Sequence, residues 1–188
     1  MTPFEFVFAL ISIITSLALT QIIAGVVVII RHRQRGSFSL THALWICIAL
    51  AVVVGNWGAL WGTRDDSAWP TIRIFAWLIS MTSLYAFCAL VIPEIDRDRP
   101  LDLNDFHERE GRRYIIAHNV FALLAATMAV LVSGVTVESR NFLLPSTIAF
   151  VLGTVALLTR GRVQLVATFP LAILALAYML VNIDNIAS

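Results

Sequence analysis

The chain has 188 residues, of which 59% are hydrophobic and only 13% are charged, and its formal net charge at pH 7 is +1. Soluble domains are about 45 to 50% apolar and about 25% charged, so this composition excludes an ordinary soluble fold and predicts a single membrane domain over residues 1–188. The small net charge gives no reason to expect nucleic acid as a partner, and the lack of lysine excludes a retinal or pyridoxal Schiff base and a Walker phosphate loop.

Six apolar stretches are long enough to cross a bilayer, whose hydrocarbon core of about 30 Å takes about 20 helical residues. They lack the period-two alternation of membrane strands. The sequence therefore predicts an all-α bundle of about six transmembrane helices. The predicted spans are residues 4–30, 40–61, 71–92, 114–134, 142–159 and 163–183.

The arginines between these spans predict the topology. One side of the membrane receives Arg31, Arg33, Arg35, Arg97, Arg99, Arg109, Arg112, Arg113, Arg160 and Arg162, and the other receives only Arg64, Arg73 and Arg140. Positively charged residues flank cytoplasmic loops. We therefore expect both termini outside the cytoplasm.

The first span begins with a helix-start pattern. Thr2 can cap the helix, Pro3 suits its first position, and Glu5 is spaced for a capping box. We expect the span to be retained, because no basic residue precedes it and it is longer than a signal-peptide core. The small residues Ser12, Ser16, Thr20 and Ala24 repeat every four positions. Such a strip predicts a packing seam between helices, and the alternative is a polar path for a solute.

Aromatic and charged residues lie at the predicted outer ends of the first three spans. Trp57, Trp61 and Trp69 are predicted to anchor the helices at the headgroup region, and the alternative is an aromatic cage for a cation. Glu5 and Arg73 could form an ion pair at an outer vestibule, although capping by Glu5 and snorkelling by Arg73 explain both residues.

Three prolines bear on the helix bounds. We expect Pro70 to start the third helix and Pro93 to end it. We expect Pro170 to kink the sixth helix, because it removes one backbone hydrogen bond.

A few polar residues within the spans are candidates for a site. His42 and Asn56 share one face of the second helix, and each is expected to form an interhelical hydrogen bond. The residues His42, Cys47, Cys88 and His118 lie at similar depth on three helices. Imidazole and thiolate can bind zinc, copper, iron or haem, but no motif spacing occurs, and free cysteines are commonly buried apolar residues. We therefore predict no metal site and no cofactor.

The connection before the fourth span is predicted to begin a helix in the cytoplasm. Asp105 and Glu108 are spaced like a capping box, and the pairs Asp105 with Arg109 and Glu108 with Arg112 are four residues apart. Gly111 weakens the junction with the span by about 1 kcal/mol relative to alanine. Arg112 and Arg113 are placed to contact lipid phosphates. This segment is also where we expect a protein partner to bind, and the alternative is a solvated helix extension without a partner.

No pattern identifies an enzyme. The sequence HERE at residues 107–110 lacks the second histidine of a zinc-binding HExxH helix, and no GxSxG turn occurs. No span carries a carboxylate near its centre, where coupled carriers often place one. We therefore expect no catalytic residues.

Several segments together resemble a family of small, uncharacterised multi-pass proteins of proteobacterial inner membranes. They are FEFVFALISI, RHRQR, HALWI, the stretch from NWGALW to DDSAWP, and DLNDFHEREGRRY. The resemblance implies a multi-pass protein of the bacterial inner membrane and no activity, ligand or catalytic residue. We expect a non-enzymatic membrane component that packs against other copies of itself or other membrane proteins, or that recruits a partner through its cytoplasmic loop. The alternatives are a small-solute channel or transporter, and a haem or electron-transfer protein.

Overall fold

Six α-helices make up the described part of the chain. A computed structural model describes residues 2–32, 37–66, 69–94, 101–133 and 137–187, and these residues form no strand. The helices are α1 (Pro3–His32), α2 (Leu40–Trp61), α3 (Thr71–Val91), α4 (Leu103–Ser133), α5 (Val137–Leu158) and α6 (Gly161–Ala187). The predicted all-α class is confirmed.

Four helical segments are long and apolar enough to cross a membrane. They are Pro3–Arg31, Leu40–Trp61, Thr71–Val91 and Gly161–Asp184, and Leu143–Leu158 is a shorter apolar helix. The membrane-spanning character predicted for these four segments is therefore supported. The assignment of α4 and α5 as further spans remains a prediction.

The helices run up and down, so alternate connections share one end of the bundle. At one end, the backbone N–H of Leu103 donates to the carbonyl of Ser37 at 3.2 Å, which joins the first and third connections. At the opposite end, the ring of Phe4 lies 5.8 Å from the ring of Trp69, which places the start of α1 beside the second connection. The compartment that each end faces remains a prediction, and Arg33, Arg35, Arg97 and Arg99 lie outside the described residues.

Helix α2 occupies the centre of the bundle and contacts α1, α3, α4 and α6. Its contact with α6 is close because two glycines lie at the interface. A Cβ atom at Gly55 would lie 2.7 Å from a ring carbon of Tyr178, and one at Gly58 would lie 2.5 Å from the carbonyl oxygen of Asn182. Small residues allow this approach of two backbones in lipid.

Local hydrogen bonds explain where α1 and α3 begin. The Glu5 N–H donates to Thr2 Oγ1 at 3.2 Å, and the Thr2 N–H donates to Glu5 Oε2 at 2.8 Å. This reciprocal pair is the predicted capping box. Pro70 is the N-cap of α3, which ends at Val91 before Pro93, as predicted.

The predicted start of α4 was wrong by one turn. The carboxylate of Asp102 accepts the N–H groups of Asn104 at 2.9 Å and Asp105 at 3.0 Å, so Asp102 caps the helix. Asp102 also accepts a hydrogen bond from Ser37, and this bond chiefly lowers the pKa of its carboxyl group. Asp105 instead lies in the first turn and pairs with Arg109, as predicted.

The small-residue strip of α1, which was predicted to be a packing seam, lies mostly on the outside of the bundle. Ser16, Thr20 and Ala24 are exposed on the outside of the bundle. Ser12, the first member of the strip, forms a hydrogen bond across helices, in which the indole N–H of Trp57 donates to Ser12 Oγ at 3.2 Å. The opposite face of α1 carries its buried residues, among them Val7, Ile11, Ala18 and Ile22.

Helices α5 and α6 both continue through a proline. Pro145 lies inside α5 and Pro170 lies inside α6. Pro170 is exposed on the outside of the bundle. The predicted kink at Pro170 remains a prediction.

Candidate functional site

A central cavity of about 160 Å³ lies between five of the six helices. An apolar cavity of about 150 Å³ is large enough to bind benzene, so this space can hold a small molecule. Its walls are mainly apolar, and α1 does not contribute. The lining residues are Val52, Asn56, Thr63, Arg73, Ala76, Trp77, Ser80, His118, Phe121, Ala122, Ala125, Met128, Pro145, Ser146, Ala149, Leu171, Leu174, Ala175 and Tyr178.

Three buried polar residues from different helices reach this central cavity. Asn56 comes from α2, Ser80 from α3 and His118 from α4. The Asn56 amide donates to Val52 O at 2.9 Å, so the predicted interhelical bond of Asn56 is wrong. Ser80 Oγ is buried and has no hydrogen-bond partner in the described part of the chain. The central cavity therefore offers hydrogen-bonding groups inside an apolar wall.

An interhelical hydrogen bond forms close by, at residues that the sequence analysis did not single out. The Asn119 amide donates to Thr154 Oγ1 at 3.3 Å and joins α4 to α5. Asn119 Oδ1 also lies 3.3 Å from His118 Nδ1. The sequence signal for this interhelical bond was an asparagine next to a histidine within an apolar span, because buried polar groups in lipid need hydrogen-bond partners.

Arg73 lies at the end of the central cavity nearest the second connection. It forms an ion pair with Asp66, and its guanidinium carbon lies 4.3 Å from the ring centre of Trp69. Trp61 and Trp69 also contact Phe4, with ring centres 6.2 and 5.8 Å apart. The tryptophans therefore pack α1 against the second connection, in addition to any contact with headgroups.

The four candidate metal ligands do not form one group. Cys47 is exposed, whereas Cys88 is buried. No cluster of three or more potential ligands occurs among the described residues. His42 is fully buried, and neither of its ring nitrogens has a hydrogen-bond partner in the described part of the chain. The interhelical bond predicted for His42 is therefore wrong, and the absence of a metal or cofactor stays a prediction.

A second cavity of about 440 Å³ lies at the opposite end of the bundle, where the first, third and fifth connections meet. We call it the arginine cavity because Arg112, Arg160 and Arg162 line it. The other lining residues are Ser39, Thr41, Asn104, His107, Glu108, Gly111, Leu157, Thr159, Gly161, Gln164 and Leu165.

Buried rings pack around α4 near the point where the residues that line the two cavities meet. Along α4, the residues that line the arginine cavity lie between positions 107 and 112, and those that line the central cavity lie between positions 118 and 128. Tyr114 is fully buried between them. The ring of Trp45 lies 5.7 Å from that of Tyr114 and 5.2 Å from that of His118, and Phe87 lies 5.4 Å from His118. We call these four residues the aromatic layer.

His107 connects the aromatic layer to the arginine cavity. Its Nδ1 forms a hydrogen bond with the Tyr114 hydroxyl, and its Nε2 lies 3.0 Å from Gln164 Oε1. Burial is the main cause that lowers the pKa of His107, and it outweighs the contributions of Gln164 and Glu108, which raise the pKa. The neutral ring is therefore favoured.

Comparison of the chain with protein-family models, curated proteins and solved structures finds no match. The class of protein consequently rests on the fold itself. The structure is an all-helical bundle with four segments that can cross a membrane, and it fits a membrane protein.

Proposed function

We propose that the protein is a multi-pass membrane protein that binds a small, uncharged, amphipathic solute in the central cavity and transports it. The convergence of Asn56, Ser80 and His118 on one cavity carries this proposal. The expected family membership, bacterial inner-membrane location and six-span topology belong to the same proposal.

Burial of these polar groups favours a binding role over simple packing. A buried hydroxyl without a hydrogen bond costs about 1 to 3 kcal/mol, and Ser80 Oγ has no such bond in the described residues. A solute with a hydroxyl or carbonyl group would supply the partner. The mostly apolar wall would contact the rest of the solute.

The charges around the central cavity favour an uncharged solute. None of its described lining residues is a carboxylate, so the cavity offers no counterion for a cation. Among the described lining residues, Arg73 alone is charged, and it is already paired with Asp66.

Accessibility of an introduced cysteine would test this proposal. Ser80→Cys places a thiol at the central cavity, and Thr82→Cys places one on the exposed face of the same helix. Both are made in a background with Cys47→Ala and Cys88→Ala. We expect N-ethylmaleimide to label Ser80→Cys faster in nanodiscs, because a thiol in contact with lipid lacks the water needed to ionise.

Protection by a model solute would test binding in the same preparation. Benzyl alcohol is uncharged, amphipathic and near the size of the central cavity, so it should slow labelling of Ser80→Cys and leave Thr82→Cys unchanged. Equal labelling rates for the two cysteines, or no protection at any concentration, would count against a solute-binding cavity.

Association through α1 is a second candidate function, favoured by the exposed strip. Ser16, Thr20 and Ala24 lie at the centre of the exposed face of α1, and small residues allow two helices to approach closely in lipid. A second copy of the chain is the simplest partner. In a Cys47→Ser background, Thr20→Cys should form a disulfide-linked dimer in membranes, whereas Phe169→Cys on the exposed face of α6 should not. A monomer in both cases would reject this interface.

A further inference from the structure

The three arginines of the arginine cavity differ from their neighbours in having no carboxylate partner. Arg109 pairs with Asp105, and Arg113 pairs with Glu110 at 2.7 Å. Arg112, Arg160 and Arg162 form no ion pair within the part of the chain that the structure describes. The predicted pair of Glu108 with Arg112 is therefore wrong.

The balance of charge around this cavity is positive. Glu108 is the only carboxylate among the described lining residues, against three guanidinium groups. The cavity also has neutral hydrogen-bonding side chains, from Ser39, Thr41 and Gln164. Helix α6 begins here at Gly161, and the start of a helix carries a partial positive charge.

We propose that the arginine cavity binds a phosphate group. A guanidinium group can donate two parallel hydrogen bonds to phosphate oxygens. The three guanidinium groups of this cavity have more N–H donors and more positive charge than the single carboxylate, Glu108, can neutralise. A phosphate ester has up to two negative charges, which offset the excess of two arginines over Glu108. The volume of about 440 Å³ leaves room for the group to which the phosphate is attached.

Two sources can supply this chemistry. The arginine cavity lies where apolar helices reach the end of the bundle, so the phosphate of an anionic phospholipid is within reach, and basic pockets at such positions bind lipid headgroups. A free phosphate or a soluble phosphate ester presents the same oxygens. This site is independent of the central cavity, so either proposal can fail alone.

Two titrations of the purified full chain distinguish the sources. In the first, inorganic phosphate is added to protein in a neutral detergent at constant ionic strength. In the second, the protein is placed in phosphatidylcholine nanodiscs that contain increasing amounts of phosphatidylglycerol. Thermal unfolding is measured in both, because a ligand that binds the folded state raises the melting temperature. A saturable rise with inorganic phosphate indicates a soluble ligand, and a rise with phosphatidylglycerol alone indicates a lipid.

Neighbouring residues provide a matched pair of variants. Arg112→Gln removes a charge that lines the arginine cavity, and Arg113→Gln removes an equal charge next to it that does not. We expect Arg112→Gln to weaken the affinity for phosphate about tenfold, because this is the usual effect of losing one hydrogen bond to a charged group. Arg162→Gln should act similarly. Arg113→Gln should leave the affinity for inorganic phosphate unchanged, because Arg113 pairs with Glu110 and does not line the arginine cavity.

Two results would overturn the phosphate site. One is the absence of a saturable rise in melting temperature with either ligand. The other is an equal loss of affinity in Arg112→Gln and Arg113→Gln, which would show only general attraction between charges. Circular dichroism of each variant verifies its helix content, and all three arginines of the cavity are exposed, so their replacement leaves the core intact.

Discussion

The hydrogen bonds of His107 define which of its ring nitrogens carries the proton. The Gln164 amide nitrogen donates to Ala156 O at 3.0 Å, which leaves Gln164 Oε1 as an acceptor. His107 Nε2 therefore donates to Gln164, and His107 Nδ1 accepts the hydroxyl proton of Tyr114. Such assignments follow from the network of partners. Protonation of Nδ1 would turn it into a donor, and the Tyr114 hydroxyl would then have to rotate and accept this hydrogen bond.

Acid should destabilise the protein through His107. Its pKa lies below the ordinary value of 6.5, so the unfolded chain binds the proton more readily than the folded protein. The stabilisation is complete above pH 6.5 and is lost as the pH falls through and below this value. The melting temperature in detergent should therefore be level above about pH 7 and fall as the pH is lowered below 6.5.

His107→Gln provides the comparison for this measurement. Glutamine can form hydrogen bonds but does not titrate, and His42 and His118 are unchanged in the variant. We expect the melting temperature of His107→Gln to fall less steeply with acid than that of the parent protein. Parallel curves would show that His107 does not contribute.

At the level of the helices, the contact between α2 and α6 depends on Gly58. A Cβ atom there would lie 2.5 Å from a backbone oxygen of α6, and this oxygen can move only if the helix moves. We expect Gly58→Val to lower the free energy of unfolding by about 1 to 3 kcal/mol, the usual cost of overpacking. Thermal unfolding in detergent measures the change. Gly62→Ala is the control, because Gly62 is exposed with an ordinary helical φ of −60°. Equal stability of the two variants would contradict the close packing.

The first and last residues of a helix could be predicted where polar residues or glycine stand directly before and after an apolar segment. The bounds of α2 were predicted to the residue, because polar residues precede Leu40 and Gly62 follows Trp61. The start of α4 was less certain from sequence, since Asp102 and Asp105 both suit a cap. Contacts across the fold decide between them, because Ser37 from the first connection binds Asp102.

The candidate site was less predictable than the helices. In a soluble protein, the polar face of a helix shows which side is exposed. Apolar residues can face lipid or core at equal cost, so no such pattern separates exposed Cys47 from buried Cys88. The central cavity and the grouping of Arg112 with Arg160 and Arg162 depend on helix rotation and could not be predicted.

At the scale of the whole molecule, the two ends of the bundle should face different compartments. The described arginine-rich connections share one end, and the arginine bias predicts that this end is cytoplasmic. A reporter that works only outside the cytoplasm should be active when fused after Asp66 or Ser188. A reporter that works only inside the cytoplasm should be active when fused after Arg99. Activity of a cytoplasmic reporter at Ser188 would contradict the six-span topology.

The aromatic layer has an electrical consequence. Trp45, Phe87 and Tyr114 are fully buried, and together with His118 they pack near the point along α4 where the arginine cavity ends and the central cavity begins. An ion crossing this layer would have to shed its water among rings, at a cost that few ions can recover in an apolar surrounding. We therefore expect no steady current across a planar bilayer containing the protein. A solute can cross only when these rings move, so the movement of the rings limits the rate of crossing. The flux of the solute should therefore saturate with its concentration, as it does in a carrier.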